Sequence, residues 1–369
     1  MGNNHVTSLE IDLNAIDYNL EFFKSKLDSS TKILIVSKAF GYGISALKIA
    51  NHLKEKVAYF AVAYLDEGIA LRKGGINNPI LVLHPQISNL SKIIKYNLEP
   101  NIYSLKLFKE FTQEIDELKI QSYPIHLKFN TGLNRLGFSN SDLPELINLV
   151  NETKKIEVKS VFSHIAASED LNEKAFTLEQ LNSFSEMASK FSAATKATPF
   201  KHMSNTSGIL NYATNAQFNM VRLGIGLLGF GNEEKHTAQL KNVFQLKSII
   251  SQIHTIKKGE SVGYNRAFKA SSTVKTATIP IGHADGISRR LGNKVGYVYI
   301  NNKKAFIVGN VCMDMIMVDV THINCEEGDS VIIYKNQQHI EDLALKIGTI
   351  PYELLTVISQ RVRRVLKKC

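Results

Sequence analysis

The sequence is poor in cysteine, in long apolar runs and in blocks of basic residues. Its three cysteines, Cys312, Cys325 and Cys369, are too few and too scattered for a disulfide framework or a metal cluster, so we expect no metal site and a reducing compartment. No apolar run approaches the roughly 20 residues that a membrane span needs, and the start MGNNHVTSLEIDL lacks a signal-peptide pattern. These absences predict a cytoplasmic protein without a membrane partner.

The net charge of +10 arises from 44 lysines and arginines against 34 acidic residues. A basic protein can bind nucleic acid through its phosphates. Here, however, the lysines are spread along the chain, no long basic block precedes the final RVRRVLKK, and no aromatic residues interleave with basic ones. We therefore expect no nucleic-acid partner.

The 369 residues, 44% of them hydrophobic, suffice for one large domain or two of ordinary size. In the first part of the chain, short apolar runs alternate with segments of helical periodicity. The runs that predict strands are ILIVSK (33–38), VAYFAVA (57–63), PILVLHP (79–85), LEPNIYS (98–104), IHLKFN (125–130), VKSVFSHI (158–165), FKHMSN (200–205) and MVRLGIGL (220–227). Eight strands that alternate with helices predict an α/β fold of the (β/α)8 TIM-barrel type.

Beyond the eighth run the pattern changes to many short β-like runs separated by turn residues. This part predicts a second, mainly β domain with helices at Glu341–Ile347 and Pro351–Leu366. We place the barrel domain at residues 1–234 and the β domain, with its C-terminal helix, at 235–369. Residues 1–13 form a segment that could pair with the second domain.

The stretch from Ile35 to Ser45, IVSKAFGYGIS, contains the first candidate for chemistry. An apolar run ends on Lys38, just before a loop that contains Gly41 and Gly43. Active sites of barrels form at the carboxyl ends of the strands, and a partly buried lysine has a lowered pKa that suits Schiff-base formation. Lys38 is therefore a candidate nucleophile, and the alternative is a solvated lysine that closes a strand.

Other polar residues stand at the ends of the predicted strands in the same way. They are Lys128, His164, His202, Asn205, Thr206 and Arg222, and loops add Tyr42 and Arg135. A lone histidine at a strand end is more often structural than catalytic, but several polar residues on one barrel rim favour an active site. The glycines of RLGIGL could let backbone N–H groups hold a phosphate.

Ten motifs, in order and over nearly the whole chain, resemble those of the alanine racemases. They are SKAFGYG, KFNTGLNRLGF, SHIAASED, HMSNTSG, NMVRLGIGLLG, VGYNRAF, IPIGHADGISRR, GNVCMDM, EEGDSVII and IPYELLTVISQRVRR. The resemblance implies a pyridoxal-phosphate-dependent isomerase that interconverts L- and D-alanine for peptidoglycan synthesis. The barrel motifs alone are less specific, because pyridoxal-phosphate decarboxylases share the barrel and the lysine.

The resemblance also implies a role for each residue at the reacting centre. Lys38 would form an aldimine with pyridoxal 5′-phosphate and act as one acid/base group at the substrate Cα. Tyr264, in VGYNR, would be the other on the opposite face, because racemisation removes a proton from one face and adds one to the other. Arg222 would face the pyridine nitrogen, His202 would orient Arg222, and His164 would pack against the ring.

The remaining implied roles concern the phosphate, the substrate and a second subunit. Cofactor contacts would also come from Tyr42, Asn205, Thr206, Gly224, Ile225 and Tyr352. Arg135 and the backbone at Met313 would meet the substrate carboxylate, and Tyr264 and Met313 would come from the partner in a homodimer with composite active sites. Lys128 is a candidate for carbamylation, which would replace an ammonium near Arg135 by an anion.

The sequence departs from the family pattern around the site. Asn130 stands where aspartate is usual, Phe40-Gly41 replaces Asn-Ala, and Ile44 replaces a common histidine. At the substrate entrance, His283 in IGHADG replaces a tyrosine and Asn310 in GNVCMD replaces an arginine. These two changes keep open a racemase of broader specificity, for example for serine. VGYNR and CMD argue against a decarboxylase, and the entire β domain argues against a non-catalytic pyridoxal-phosphate carrier.

Overall fold

The structure, a computed structural model, describes residues 5–367, so residues 1–4 of the segment that could pair with the β domain lie outside it. The described chain forms two compact units. One contains the residues up to Asp17, Tyr42–Ser45 and the chain from Lys241 onward, which we call the β unit. The other, the barrel unit, contains Tyr18–Gly41 and Ala46–Leu240. No helix among the described residues is both long and apolar enough to cross a bilayer.

Strands and helices alternate up to residue 223, and strands predominate after that. The strands are β1 Ser8–Asp12, β2 Lys32–Val36, β3 Tyr59–Val62, β4 Ile80–Val82, β5 Glu99–Ile102, β6 Tyr123–Lys128, β7 Ile156–Phe162, β8 Phe200–His202, β9 Met220–Leu223, β10 Phe244–Ile249, β11 Gln252–Ile256, β12 Ser261–Val262, β13 Phe268–Lys269, β14 Val274–Ile279, β15 Tyr297–Ile300, β16 Lys303–Val308, β17 Ile316–Asp319, β18 Ser330–Tyr334 and β19 Arg363–Lys367. The helices are α1 Leu13–Lys24, α2 Lys38–Tyr42, α3 Ala46–Leu53, α4 Leu65–Lys73, α5 Leu90–Lys95, α6 Leu105–Glu117, α7 Leu143–Glu152, α8 Lys174–Thr195, α9 Thr206–Ala216, α10 Glu234–Thr237, α11 Gln337–Lys346 and α12 Pro351–Thr356.

The barrel unit contains eight parallel strands in the order β8-β7-β6-β5-β4-β3-β2-β9. Backbone hydrogen bonds from Asn219 N to Lys201 O (3.1 Å) and from Arg222 N to Ser204 O (2.9 Å) link the two edges of this sheet. Each of the eight predicted apolar runs overlaps one of these strands, so the predicted barrel is confirmed.

Part of the inside of the barrel is filled by apolar side chains from several strands. Leu34, Ala61, Leu81, Phe162 and Met220 form one buried cluster. Strands β3, β4, β5 and β9 are buried along their whole length. Parallel strands covered on both faces need continuous rather than alternating apolar sequence, which explains why the runs were visible in the sequence.

The β unit contains a nine-stranded sheet in the order β11-β14-β17-β16-β15-β18-β10-β1-β19. Strand β1 pairs antiparallel with β10, with Leu9 opposite Leu246, and parallel with β19, with Leu9 opposite Arg364. Strands β15 and β16 form a hairpin whose turn residues, Asn301 and Asn302, have φ of +48° and +62°. Asparagine tolerates this left-handed conformation, as two-residue hairpin turns require. The predicted mainly β domain is confirmed.

The predicted helix from Pro351 to Leu366 is wrong in its second half. Helix α12 ends at Thr356, and residues Arg363–Lys367 form strand β19 beside β1. Arg364 is buried and donates from Nε and Nη2 to Gly43 O at 3.0 and 2.7 Å. Pairing with a strand far away in the chain overrides the local helical preference of this basic segment.

Candidate active site

The barrel unit brings five of the predicted polar residues to the carboxyl ends of its strands. Lys38 follows β2, Lys128 ends β6, His164 lies just after β7, His202 ends β8 and Arg222 is in β9. In a parallel barrel these ends form one rim, which is where active sites of such barrels lie.

Lys38 begins a left-handed turn. The φ angles of Ala39, Phe40 and Gly41 are +52°, +55° and +65°. A left-handed conformation costs a residue with a side chain roughly 1–2 kcal/mol, so consecutive examples must be held by other contacts. The N–H of Gly41 donates to Ser37 O at 3.0 Å and closes the turn. The turn fixes the backbone from which the Lys38 side chain extends.

Glu67, which the sequence analysis missed, holds this turn from helix α4. Its Oε1 accepts the N–H of Ala39 at 2.6 Å, and its Oε2 accepts the N–H groups of Ala63 at 2.7 Å and Tyr64 at 3.2 Å. One carboxylate therefore ties the start of the turn to the end of β3. In the sequence, Glu67 is an ordinary acidic residue of a first helical turn, and its signal was its place at the start of the helix that follows an apolar run.

Four cationic side chains influence each other at this rim. Burial lowers the pKa of Lys38, and the charges of Arg135 and Arg222 lower it further, whereas Glu67 raises it. Burial, together with Arg222, Arg135 and Lys38, lowers the pKa of Lys128 to about 7. Such a group of cations in a partly dry site favours an anionic ligand, and it makes both lysines more nucleophilic than a solvated lysine.

Arg222 is buried in a set of acceptors. Its Nη1 donates to His202 Nδ1 at 2.8 Å, and its Nη2 donates to His164 Nδ1 at 2.9 Å and to the carbonyls of Ser163 and Met203, each at 2.8 Å. Because arginine has only donors, His202 Nδ1 accepts from Nη1, whereas the two hydrogens of Nη2 are shared among His164 Nδ1 and the two carbonyls. Burial and the charge of Arg222 accordingly hold the pKa of His164 and of His202 well below the usual value.

The barrel-unit residues that were predicted to bind phosphate lie at the N-termini of helix α9 and of a 3-10 turn. Asn205 precedes helix α9, and its Oδ1 accepts the N–H of Gly208 at 2.9 Å. Thr206 Oγ1 accepts the N–H of Gly226 at 3.1 Å and so joins α9 to the 3-10 turn Ile225–Leu228, which follows Gly224. Free N–H groups at the start of a helix are suited to bind phosphate.

The glycine at position 226 is required by close packing. A Cβ there would lie 2.5 Å from a ring atom of Phe23 and 2.6 Å from the methyl group of Thr206. These distances are shorter than a carbon–carbon contact permits, so a larger residue would displace the turn that carries Ile225.

The β unit holds the other predicted residues, and two of these lie together. The rings of Tyr42 and Tyr352 are 6.1 Å apart between centroids, and burial raises the pKa of Tyr42. Next to Tyr42, the carbonyl of Gly43 is fixed by Arg364.

Tyr264 and Met313 are exposed on the β unit, at 69% and 60% of their maximal areas. They line an open cavity of about 570 Å³ together with apolar residues that include Val262, Met315 and Met317. This cavity is mostly apolar in its side chains, although it lies at the surface.

Of the two positions predicted to lie at the entrance, Asn310 is in a loop and His283 begins the 3-10 turn His283–Asp285. Asn310 Nδ2 donates to Tyr264 O at 3.1 Å, and the N–H of His283 donates to Cys312 O at 2.9 Å. The side chain of Asn310 therefore stabilises the backbone at Tyr264, in addition to its predicted place at the substrate entrance. Among residues 5–367 no group of three or more histidine, cysteine or acidic side chains is arranged to hold a metal.

Known proteins resemble this chain over nearly its full length. The family model described as "Alanine racemase, N-terminal domain" matches residues 11–231, and that described as "Alanine racemase, C-terminal domain" matches residues 243–366. An alanine racemase of Helicobacter acinonychis is 34% identical over 97% of this chain and 98% of its own, and one of Clostridium tetani is 34% identical over 96% and 94%.

Solved structures agree with the sequence relatives. An alanine racemase of Clostridium difficile 630 has a TM-score of 0.92 at 33% identity and covers 98% of this chain and 96% of its own. One from Bartonella henselae with covalently bound pyridoxal phosphate has a TM-score of 0.88 at 30% identity, with 98% and 99% covered. The predicted family and fold are confirmed, and this chain belongs to the alanine racemase family.

Proposed function

We propose that this protein interconverts L-alanine and D-alanine by a two-base mechanism with pyridoxal phosphate, and that it supplies D-alanine for peptidoglycan in the cytoplasm. The observation that carries the proposal is Lys38, a strand-end lysine of lowered pKa beside the buried Arg222. A similar structure, from Bacillus anthracis, contains bound L-Ala-P. We keep the domain limits of 1–234 and 235–369 as part of this proposal.

The barrel unit has groups that fit pyridoxal phosphate, the cofactor of this family. Lys38 has the amine for a covalent bond. The described hydrogen bonds of Arg222 all come from Nη1 and Nη2, so its Nε–H is available for the ring nitrogen. Thr206 and the N–H groups after Gly224 suit the phosphate. The phosphate contacts of Tyr42, Asn205 and Tyr352 stay predictions.

Bound pyridoxal phosphate supplies an electron sink that makes the substrate Cα–H acidic. Arg222 limits the strength of that sink. Burial lowers the pKa of Arg222 to about 9, so it is still protonated at neutral pH and offers the ring nitrogen a hydrogen bond rather than a proton. A weaker sink restrains reactions that need a long-lived carbanion.

Lys38 would take or return the Cα proton on one face of the substrate, and Tyr264 would do so on the other. We assign this Tyr264 to the partner in a homodimer. The exposure of Tyr264 and Met313, with Met315 exposed by 48% beside them, supports the assignment, because a cluster of exposed apolar residues is typical of an interface. Arg135 and the Met313 backbone would hold the substrate carboxylate.

Carbamylation of Lys128 would complete the site. A lysine with a pKa of about 7 is unprotonated often enough at neutral pH to attack CO2. The nitrogen forms a bond to the carbon and releases one proton, and the product is an anion. Placed among Lys38, Arg135 and Arg222, that anion would replace a repulsive charge by an attractive one and could accept a hydrogen bond from Arg135.

The test is chiral chromatography after incubation of purified, pyridoxal-phosphate-loaded protein with a panel of L-amino acids. We expect D-alanine as the main product, with detectable D-serine because of His283 and Asn310, and no D-alanine from Lys38→Ala. Lys38→Ala should also lose the covalent link to the cofactor, as judged by mass after borohydride reduction. If the unmutated protein produced another D-amino acid faster than D-alanine, the assigned substrate would be wrong.

A further inference from the structure

A chain of buried polar side chains runs from Arg222 away from the site. His202 Nε2 lies 2.9 Å from Ser160 Oγ, Ser160 Oγ lies 2.6 Å from His126 Nδ1, and His126 Nε2 lies 2.7 Å from Glu99 Oε2. His126, Ser160 and His202 are fully buried, and Glu99 is 7% exposed. These residues come from β9, β8, β7, β6 and β5, so the chain crosses five neighbouring strands of the barrel.

Arg222 at one end and Glu99 at the other fit a set of hydrogen bonds that all run in one direction. Arg222 can only donate, so His202 Nδ1 accepts and His202 Nε2 carries the proton. Ser160 Oγ accepts that proton and donates its own to His126 Nδ1. His126 Nε2–H then donates to the Glu99 carboxylate. In this arrangement all four bonds point from Arg222 toward Glu99.

Glu99 is a carboxylate inside a barrel, where burial of a charge is costly unless the charge is balanced. At the other end, Arg222 has only neutral direct partners among the described residues, namely the two imidazoles and three backbone carbonyls. Arg72 also lies in the field of Glu99, but it donates to backbone carbonyls such as Ile76 O at 2.7 Å.

We propose that Glu99 is a positioning residue that acts as the remote counter-charge of Arg222 through His126, Ser160 and His202. Aligned hydrogen bonds in a low-dielectric interior polarise one another, so a carboxylate at one end strengthens the acceptor that faces the arginine at the other. The chain fixes the tautomer of His202 and with it the orientation of the guanidinium. The effect on catalysis rests on the proposed function, in which Arg222 meets the ring nitrogen.

The first test is the protonation of the two histidines in the unmutated, cofactor-loaded protein. Nitrogen chemical shifts of 15N-histidine-labelled protein distinguish the tautomers, with His126→Gln and His202→Gln used for assignment. We expect both residues to be neutral and protonated at Nε2. A proton on Nδ1 of either residue would overturn the proposal, whether or not the protein racemises alanine.

The second test breaks the chain at two places. Glu99→Gln removes the charge at constant volume, and Ser160→Ala removes the central hydroxyl. Each should lower kcat roughly tenfold with little change in KM, as happens when the outer partner of a functional histidine is removed. Each should also shift the visible absorption band of the bound cofactor in the same direction. The double variant should be no slower than the slower single variant, because both cut one chain.

Ser248→Ala is the matched control. Ser248 is 3% exposed and its hydroxyl pairs with Thr7 Oγ1 at 2.8 Å in the β unit, so its loss removes a buried hydroxyl outside the chain. Its kcat and absorption band should stay unchanged. The proposal would be refuted if Glu99→Gln left kcat and the absorption band unchanged. It would also be refuted if the losses of kcat in the two single variants multiplied in the double variant. If the unmutated protein formed no D-alanine, the proposed function would fail. The histidine tautomers and the absorption band would still test whether Glu99 acts on Arg222 through His126, Ser160 and His202.

Discussion

Lys38 and Lys128 lie in the same group of cations, yet we assign them different chemistry. Burial is the largest cause of the lowered pKa for both, and arginine charges add to it. Lys38 starts a turn that Glu67 holds, and we assign its amine to the covalent bond with the cofactor. Lys128 lies over the ring of Phe162 at 5.5 Å, and the charges of Arg222, Arg135 and Lys38 lower its pKa, which favours its conversion to an anion.

Carbamylation of Lys128 should increase with pH. The free amine reacts with CO2, and the fraction of free amine rises as pH passes through the lowered pKa of about 7. In protein equilibrated with 13C-bicarbonate, a carbamate signal should therefore grow between about pH 6 and about pH 8, where an ordinary lysine of pKa near 10.4 would stay protonated. Lys128→Gln should lack the signal and should bind the substrate carboxylate less well. The absence of any carbamate signal at the upper pH would contradict the proposal.

Several residues of the site could be predicted from the sequence because they stand at strand ends, where apolar runs meet loops. Others could not. His126, Ser160 and Glu99 lie within strands and contact partners on neighbouring strands, so only the pairing of β5, β6 and β7 brings them together. In the sequence each is a polar residue within a predicted strand, a pattern that usually indicates only a locally satisfied core residue.

At the scale of elements, the turn after Lys38 is the least ordinary feature. Gly41 has φ of +65°, and a Cβ there would lie 2.7 Å from Ala46 N, a backbone atom that cannot move freely. Gly75 also has a positive φ, +85°, but a Cβ there would meet nothing within 4 Å. Replacing Gly75 by alanine therefore measures the cost of backbone strain alone, and replacing Gly41 measures strain together with a steric clash.

Gly41→Ala should destabilise the protein more than Gly75→Ala. Both changes force alanine into a left-handed conformation at about 1–2 kcal/mol, and the clash at Gly41 should add about 1–3 kcal/mol, as overpacking does. Urea unfolding followed by circular dichroism measures the difference. Gly41→Ala should also weaken cofactor binding, because Lys38 lies in the same turn, and Gly75→Ala should leave it unchanged. Equal losses of stability would mean that the turn can relax around a side chain.

The strands of the barrel were predictable for a reason that does not apply to strand β19. Barrel strands such as β3 and β4 are buried along their whole length, so each is an apolar run in the sequence. Strand β19 instead contains Arg363 and Arg364 and is specified by pairing with β1 and by the carbonyls that accept from Arg364. Strand β1 is separated from β19 by most of the chain, and the carbonyls that accept from Arg364 belong to the turn that precedes β19. The local sequence pattern therefore predicted a helix, whereas tertiary contacts stabilise a strand.

At the scale of the whole molecule, the proposal requires a dimer. The exposed cluster of Tyr264, Met313 and Met315 would be covered by the partner, and each active site would combine Lys38 of one subunit with Tyr264 of the other. Met315→Glu should therefore give an inactive monomer by light scattering. Leu345→Glu, at a position that is 79% exposed in helix α11, is the matched control and should leave mass and activity unchanged.

Mixed dimers test the composite site directly. After random exchange between Lys38→Ala and Tyr264→Phe subunits, half of the dimers are mixed, and each mixed dimer has one site with both residues intact. Activity should recover to about a quarter of the unmutated value, since one of two sites works in half of the molecules. If both residues of a site came from the same subunit, no mixed dimer would contain an intact site, and no recovery would be seen.

The most direct test of the two-base mechanism is hydrogen exchange at Cα in D2O. In the proposed mechanism, Tyr264→Phe removes the group that we assign to L-alanine and leaves Lys38, which we assign to D-alanine. Deuterium incorporation into L-alanine should fall by about 10²–10⁴, the usual contribution of a general acid or base, while incorporation into D-alanine should be largely retained. Tyr18→Phe, a change at a tyrosine that is 44% exposed in helix α1, should affect neither. An equal loss of both exchanges in Tyr264→Phe would contradict the assignment of Lys38 and Tyr264 to opposite faces.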